Sequence, residues 1–498
     1  MPARPGRRLR WLLVLVGVGG GTAATARWRR RRRASRGPVS TTGRAERNAQ
    51  LVGLGGRVGR SMALHRARTV FASAPRRAEL TAELQLRTAD EVARTLGQLK
   101  GAMMKIGQMA SYLDDGLPAP VRDALATLQA DAPAMSPDLA AAEIERELGA
   151  HPDELFDRWD PVPIAAASIG QVHRAVTRDG RAVAVKVQYP GVADAIAADL
   201  GNADLLFGAL RLVFPGLDPG PVTAELRARI AEELDYRLEA ANQMRFARFF
   251  AGHPFLHVPT VHPDLSTARV LTTELATGAS FAEMLTWSED ERNRTGEALF
   301  RFVFRSLYRL GAFNADPHPG NYLFRPGGGI TLLDFGLVRN FADDELARFR
   351  AMISTMVIDH DPTAFRRAVE DAGLLARSAP VDDDEVAEFY SHFYRFVRDA
   401  EPYTITPEYA SATVRQTFNA QSPVTRHTTL PASFVLVQRI NLGLYALLGR
   451  IGATANWRRI AEELWPWVDA GPSTPLGRAE ANWLAGRSDD QSGRRATK

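Results

Sequence analysis

The stretch FNADPHPGNYLF, which sets Asp316 and Asn321 at D-x-x-x-x-N spacing, constrains this chain more than any other. Asp, Pro, Gly and Asn all favour turns, so its composition alone reads as a loop. Its neighbourhood says more. Thirteen residues after Asn321, the apolar strand pattern ITLLDFG ends on Asp334-Phe335-Gly336. An acid directly after a buried strand is placed to ligate a hard divalent cation, and the glycine lets the backbone turn away. His318 stands between two prolines and reads as structural rather than catalytic.

Upstream, two strand-like runs flank the turn Asp179-Gly180, and the second, AVAVKVQ, puts Ala184 and Lys186 on one face and Val183, Val185 and Val187 on the other. A lysine in mid-strand is usually solvated. One that follows a hairpin fits a kinase-type lysine on the third strand, which pairs the α- and β-phosphates of ATP. The helical pattern AEELDYRLEAANQ then supplies Glu232, Glu233, Asp235 and Glu239. At about 100° per residue, Glu232, Asp235 and Glu239 share one face within about 60°, and Glu233 is turned roughly 120° from Glu239. The plain alternative is a solvated acidic face. Lysine, acid, D-x-x-x-x-N and Asp-Phe-Gly follow one another with gaps of 53, 77 and 13 residues between Lys186 and Glu239, Glu239 and Asp316, and Asn321 and Asp334. In a kinase catalytic loop the aspartate orients the acceptor hydroxyl or water, while the asparagine and the Asp-Phe-Gly aspartate bind metal.

Two ordinary kinase features are absent. No G-x-G-x-x-G precedes Lys186, and Ala165-Ala166-Ala167-Ser168 occupies the phosphate-loop position, where alanine's Cβ disfavours the positive φ that glycine supplies. No A-P-E segment follows Gly336, and a helix is expected from about Asp343, which leaves no room for a long substrate-docking segment.

The 498 residues suffice for more than one core, and the absence of cysteine excludes disulfides, thiolate metal sites, Fe–S clusters and a cysteine nucleophile. The net charge of +5 is not a nucleic-acid signal, because residues 1–36 hold eleven arginines and no acid, leaving 51 basic against 57 acidic side chains beyond. That tail reads RRLR, an uncharged run Trp11 to Ala26, then RWRRRRR. Ala24 and Ala26 resemble a signal-peptide cleavage site, but the arginine cluster after them opposes export. As a helix the run reaches roughly 24 Å, short of a ~30 Å hydrocarbon core unless the arginines snorkel. The expectation is membrane association with the body on the cytoplasmic side; an organelle transit peptide is the alternative.

Residues 41–75 read as a linker, and VGLGGRVG at 52–59 lacks the strand and the Lys-Ser/Thr of a phosphate loop. Val92, Leu96, Leu99, Met103, Ile106, Ala110 and Leu113 alternate by four and three, an amphipathic helix, and Ser136 is placed to cap a further helix. Helical pattern returns over 192–213 and 222–250, RVLTTEL at 269–275 reads as a strand, and residues 485–498 read as a disordered polar tail. FVLVQRINLGLYALLGRIG contains Arg439, Asn441 and Arg450, so it reads as an internal helix and not a membrane span.

Together MKIGQMAS, AAASIGQVH, VAVKVQYPGV, NADPHPGN and LLDFG resemble the UbiB/ADCK (AarF) family of atypical kinases over roughly Glu91 to Trp457. Lys105 and Gln108 match the family's K-x-G-Q motif, and Glu233 and Asp235 its E-x-D. The resemblance implies an α+β, protein-kinase-like two-lobed fold with an N-terminal helical extension and a mostly helical C-lobe. It implies that Glu239 partners Lys186 and that the K-x-G-Q helix occupies the space where a protein substrate would dock. The expected divisions are a basic tail (1–40), a linker (41–75), the extension (76–158), the small lobe (159–277), the large lobe (278–470) and a polar tail (471–498). ATP and Mg2+ are the implied cofactors. A membrane lipid or quinone precursor, quinone-biosynthesis proteins and a second copy of the chain are the implied partners. Two other readings share the kinase core: a nucleotide-regulated scaffold, and a small-molecule phosphotransferase of the aminoglycoside or choline kinase kind, which leaves K-x-G-Q unexplained.

Overall fold

The computed structural model describes residues 135–167, 169–193, 232–314, 317–417, 422–429 and 432–496. These form two compact units, one of residues 135–180 and 185–193, the other of residues 181–184 and 232–496. The tail, the linker, the helix bearing Lys105 and Gln108, and the pattern over 194–231 lie outside the described residues.

The first unit opens with α1 (Pro137–Leu148), which starts on a proline suited to a first helical turn and ends on Gly149 in the left-handed region at φ 80°. Ser136 occupies the N-cap position, but its side chain makes no capping bond. Three strands follow: β1 (Phe156–Ala166), β2 (Gly170–Thr177) and β3 (Ala182–Gln188). β1 starts at Phe156, which is buried and pairs with Thr177. As the sheet's outer strand β1 tolerates Pro161 and Pro163, and register shifts between Trp159 and Ala165 absorb them. Gly180 at φ 86° turns β2 into β3, and Val183, Val185 and Val187 are all buried while Ala184 and Lys186 face the other way. The first half of β3 clusters with the second unit, where Leu275 N–H donates to the Ala182 carbonyl at 3.1 Å.

In the second unit, α2 (Tyr236–Phe249) precedes β4 (Leu256–His257) and β5 (Val270–Glu274), and α3 (Glu289–Arg305) runs through the core. β6 (Ala312–Asn314), β7 (Tyr322–Arg325), β8 (Gly329–Leu332) and β9 (Val338–Asn340) form two small sheets, β4-β8-β7 and β6-β9. The remainder is mostly helical, apart from a short antiparallel pair of Tyr403–Thr404 with Thr454–Ala455: α4 (Asp343–Ile353), α5 (Pro362–Asp371), α6 (Asp383–Arg398), α7 (Pro407–Thr417), α8 (Ala432–Ile451), α9 (Trp457–Leu464) and α10 (Pro475–Ala496). α8 is the segment expected to be an internal helix, and no helix among the described residues is long and apolar enough to cross a membrane.

Two sequence expectations need correction. The helix bearing Glu239 does not run through Glu232: Asp235 is extended (φ −119°, ψ 96°) and its carboxylate caps α2 by accepting the Arg237 N–H at 3.0 Å. Glu232 and Asp235 therefore do not share a helix face with Glu239. α2, β4 and β5 cluster with the helices in the second unit. Finally, the C-terminal segment is docked helix. Glu480 on α10 is buried and accepts from Arg301 and Arg305, each at 2.9 Å, while Arg301 also bonds Glu297 and Glu463 at 2.7 Å. Sequence polarity suggested solvent; the charges are instead matched inside, where each would be costly alone.

Candidate functional site

The β7–β8 hairpin carries the centre of the site. His318 accepts the Gly320 N–H on Nδ1 at 3.1 Å, closing the 3-10 turn Pro319–Asn321, so its role is structural as the sequence suggested. Asn321 then leads β7, Tyr322 pairs with Leu332, and the Leu333 N–H donates to the Asn321 carbonyl at 2.9 Å. The ladder thus places Asn321 opposite Leu333 and beside Asp334 at one end of the hairpin, although the two are thirteen residues apart in sequence.

Asp334-Phe335-Gly336 is held at every residue. Asp334 Oδ1 accepts the Gly336 N–H at 2.8 Å, a short local bond that fixes the carboxylate and turns the chain. Its carbonyl accepts from Asn314 Nδ2 at 2.6 Å, and Asn314, 5% exposed, is itself fixed where β6 pairs with β9 opposite Val338. Phe335 is fully buried, its ring centroid 5.1 Å from that of Phe246, and its carbonyl accepts from Asn242 Nδ2 at 3.1 Å. Glu239 is buried, and its Oε2 lies 3.8 Å from where a Cβ on Gly336 would stand. Glu239, Asn242 and Phe246 are spaced i, i+3, i+7, so one face of α2 lies against Phe335 and Gly336.

Asp235 stays ionised: the Arg237 side chain bonds it at 2.9 Å through both carboxylate oxygens and holds it below the usual carboxylate range, outweighing a smaller effect of burial. It serves α2 as cap, and Glu233 lies in the short helical stretch two residues before it. Lys186, Ala165, Ala166 and Ala167 belong to the first unit. There Ala165 and Ala166 end β1 exposed, and the Ala167 N–H donates to the Gly170 carbonyl at 2.8 Å, closing a tight turn in place of a glycine-rich loop. Lys105, Gln108, Ser168 and Asp316 lie outside the described residues.

Sequence reasoning passed over four residues. Asn314 and Asn242 carry the two carbonyl bonds just described; the i+3 step from Glu239 was the available signal for Asn242. The other two lie in GQVH. Gln171 and His173 are fully buried, and Gln171 Oε1 accepts the Met135 N–H at 2.9 Å. Gln171 Nε2 meets His173 Nε2 at 2.8 Å, and His173 Nδ1 meets the Asp160 carbonyl at 2.9 Å. An amide N–H can only donate, so Nε2 accepts and the proton sits on Nδ1. Burial lowers the His173 pKa, opposed by its bond to the Asp160 backbone and the Asp160 charge. This part of the motif therefore holds the first unit together.

An ABC1 atypical kinase-like domain matches residues 127–368. The mitochondrial atypical kinase COQ8B of Rattus norvegicus is 37% identical over 258 residues, 51% of this chain and 49% of that protein. The mitochondrial atypical kinase COQ8 of Saccharomyces cerevisiae is 27% identical over 384 residues, 76% of each. The match thus spans about half of the first relative's length. Among solved structures, that of Rv3197 with erythromycin, from Mycobacterium tuberculosis, aligns with a TM-score of 0.59 at 31% identity, covering 78% of this chain and 98% of that one. With a kinase-like fold and a gripped Asp-Phe-Gly in view, the chain belongs to the ABC1, or UbiB, family of atypical kinases.

Proposed function

We propose that this chain binds MgATP and hydrolyses it or passes on its terminal phosphoryl group, in support of isoprenoid-quinone biosynthesis or membrane-lipid homeostasis. The observation that carries the reading is the placing of Asn321 beside Asp334 at one end of the β7–β8 hairpin, with Asn314 holding the aspartate's carbonyl and Asn242 of α2 holding that of Phe335. An amide oxygen and a carboxylate are hard donors that suit Mg2+, which keeps most of its shell for phosphate and water. No group of three His, Asp or Glu among the described residues would hold a metal alone, consistent with a cation that arrives with its nucleotide. The bound Mg2+ would supply charge neutralisation on the phosphates.

In this reading Asp316 orients the acceptor hydroxyl or water, Lys186 pairs the α- and β-phosphates with Glu239 as its carboxylate partner, and Ala165 to Ser168 border the phosphates. Lys105 and Gln108 keep a protein substrate out. A lipid or quinone precursor is then the acceptor or effector, and residues 1–40 bring the body to a membrane or an organelle.

The full-length chain tests the proposal by phosphate release from ATP, with and without vesicles and a soluble quinone-precursor mimic. Turnover that Lys186→Met and Asp316→Asn each remove supports it. Nucleotide binding with no turnover under any of these conditions overturns the enzyme reading in favour of a scaffold.

A further inference from the structure

A cavity of about 140 Å3 lies inside the second unit, between α3, α4, α6, α8 and α9, and uses none of the residues placed around Asp334. Well-packed interiors hold few voids larger than a water molecule, so a space of this size stands out. An apolar cavity of about 150 Å3 admits benzene. Aromatic side chains, among them Phe300, Phe349, Phe396 and Trp465, form most of its wall, and no charged side chain lines it. An ion entering it would lose its water with no counter-charge to replace it, so a neutral guest is selected.

Two tyrosines give the guest a polar handle. Tyr445 is 4% exposed, lines the cavity, and its hydroxyl has no hydrogen-bond partner among the described residues. Tyr394, likewise on the wall, has none either. Burial, joined by neighbouring tyrosines (Tyr409 first for Tyr445, Tyr390 for Tyr394), raises both hydroxyl pKa values, so both remain neutral donors at any ordinary pH. A buried tyrosine hydroxyl normally finds a partner. The backbone is also opened here: α3 and α4 each run on into a π turn, Ser306–Leu310 and Ser354–Ile358, and Leu307, Tyr308 and Ile353 from these junctions face the cavity. Single π turns are frequent at functional sites.

We infer that this cavity is a binding site for a neutral, single-ring molecule bearing one hydrogen-bonding oxygen, which meets the Tyr445 hydroxyl. Benzyl alcohol and ethylbenzene are near-isosteric probes that differ in that oxygen. Their dissociation constants for the full-length protein, without nucleotide, are read by ligand-observed NMR titration. Both bind; Tyr445→Phe weakens benzyl alcohol about fivefold to tenfold, the worth of one neutral hydrogen bond, and leaves ethylbenzene unchanged. Ala461→Leu, which adds volume at the wall, removes both. Absence of binding by either probe overturns the site. Equal effects of Tyr445→Phe on the two probes, or binding that survives in a folded Ala461→Leu protein, overturn it as well. Should Ala461→Leu fail to fold, the Tyr445→Phe comparison decides alone. Because no nucleotide is used, these outcomes are independent of the proposed ATP chemistry.

Discussion

Asn314→Ala removes the bond from Asn314 Nδ2 to the Asp334 carbonyl, a 2.6 Å contact from a residue that is 5% exposed. Water has little access to replace it, so losing this buried bond costs about 1–3 kcal/mol. Asp334 keeps its bond to the Gly336 N–H, and Phe335 keeps its bond from Asn242, so the loop loosens at one point and does not unfold. If the Asn314 bond sets the aspartate for metal, the loss appears in cation affinity as roughly a fivefold to 150-fold weakening. The assay is a Mg2+ titration of the nucleotide complex, run beside urea unfolding. Expected is a weakened Mg2+ midpoint with metal-free nucleotide affinity unchanged. A full loss of stability with an unmoved Mg2+ midpoint would show that Asn314 only packs the fold and would refute the reasoning.

Three further outcomes follow from the same structure. Glu480→Ala leaves Arg301 and Arg305 short of a buried counter-charge and is expected to destabilise the chain by about 3–5 kcal/mol in urea unfolding; a change within 0.5 kcal/mol would mean α10 is not docked in solution. Asp235→Ala removes a cap and costs about 0.5–2 kcal/mol, whereas Ser136→Ala, at a cap position without a side-chain bond, is near neutral. His173 titrates below its ordinary 6.5 because it is buried. The unfolded chain therefore takes up the proton first, so the stability this residue provides is full above pH 6.5 and falls as pH drops below it. Thermal unfolding at pH 7.5 and 5.5 should show that drop, and a smaller one in His173→Asn; an equal drop in both would exclude His173 as its source.

The sequence was most legible where chemistry demands fixed residue types close together. Asp-Phe-Gly after an apolar strand, Asn321 thirteen residues earlier and Lys186 on the polar face of an alternating strand all lie where pattern placed them. Periodicity failed at Asp235, where the same short acid that fits a helix face also caps the next helix; only the backbone angles decide between the two. It failed again at Glu480, because a polar helix pattern does not reveal that two arginines wait inside, in the last two turns of α3. Asn314 and Asn242 were invisible for a different reason. Each bonds a backbone carbonyl far along the chain, and a carbonyl leaves no trace in sequence.

The central claim is that Asp334 and Asn321 hold the nucleotide's metal. Mn2+ in place of Mg2+ makes this directly readable by electron paramagnetic resonance on the full-length protein with ATP. A nucleotide-dependent bound-Mn2+ signal is expected, lost in Asp334→Asn and weakened in Asn321→Ala, while both variants keep the wild-type unfolding midpoint within a few tenths of a kcal/mol. An unchanged signal in Asp334→Asn would contradict the account.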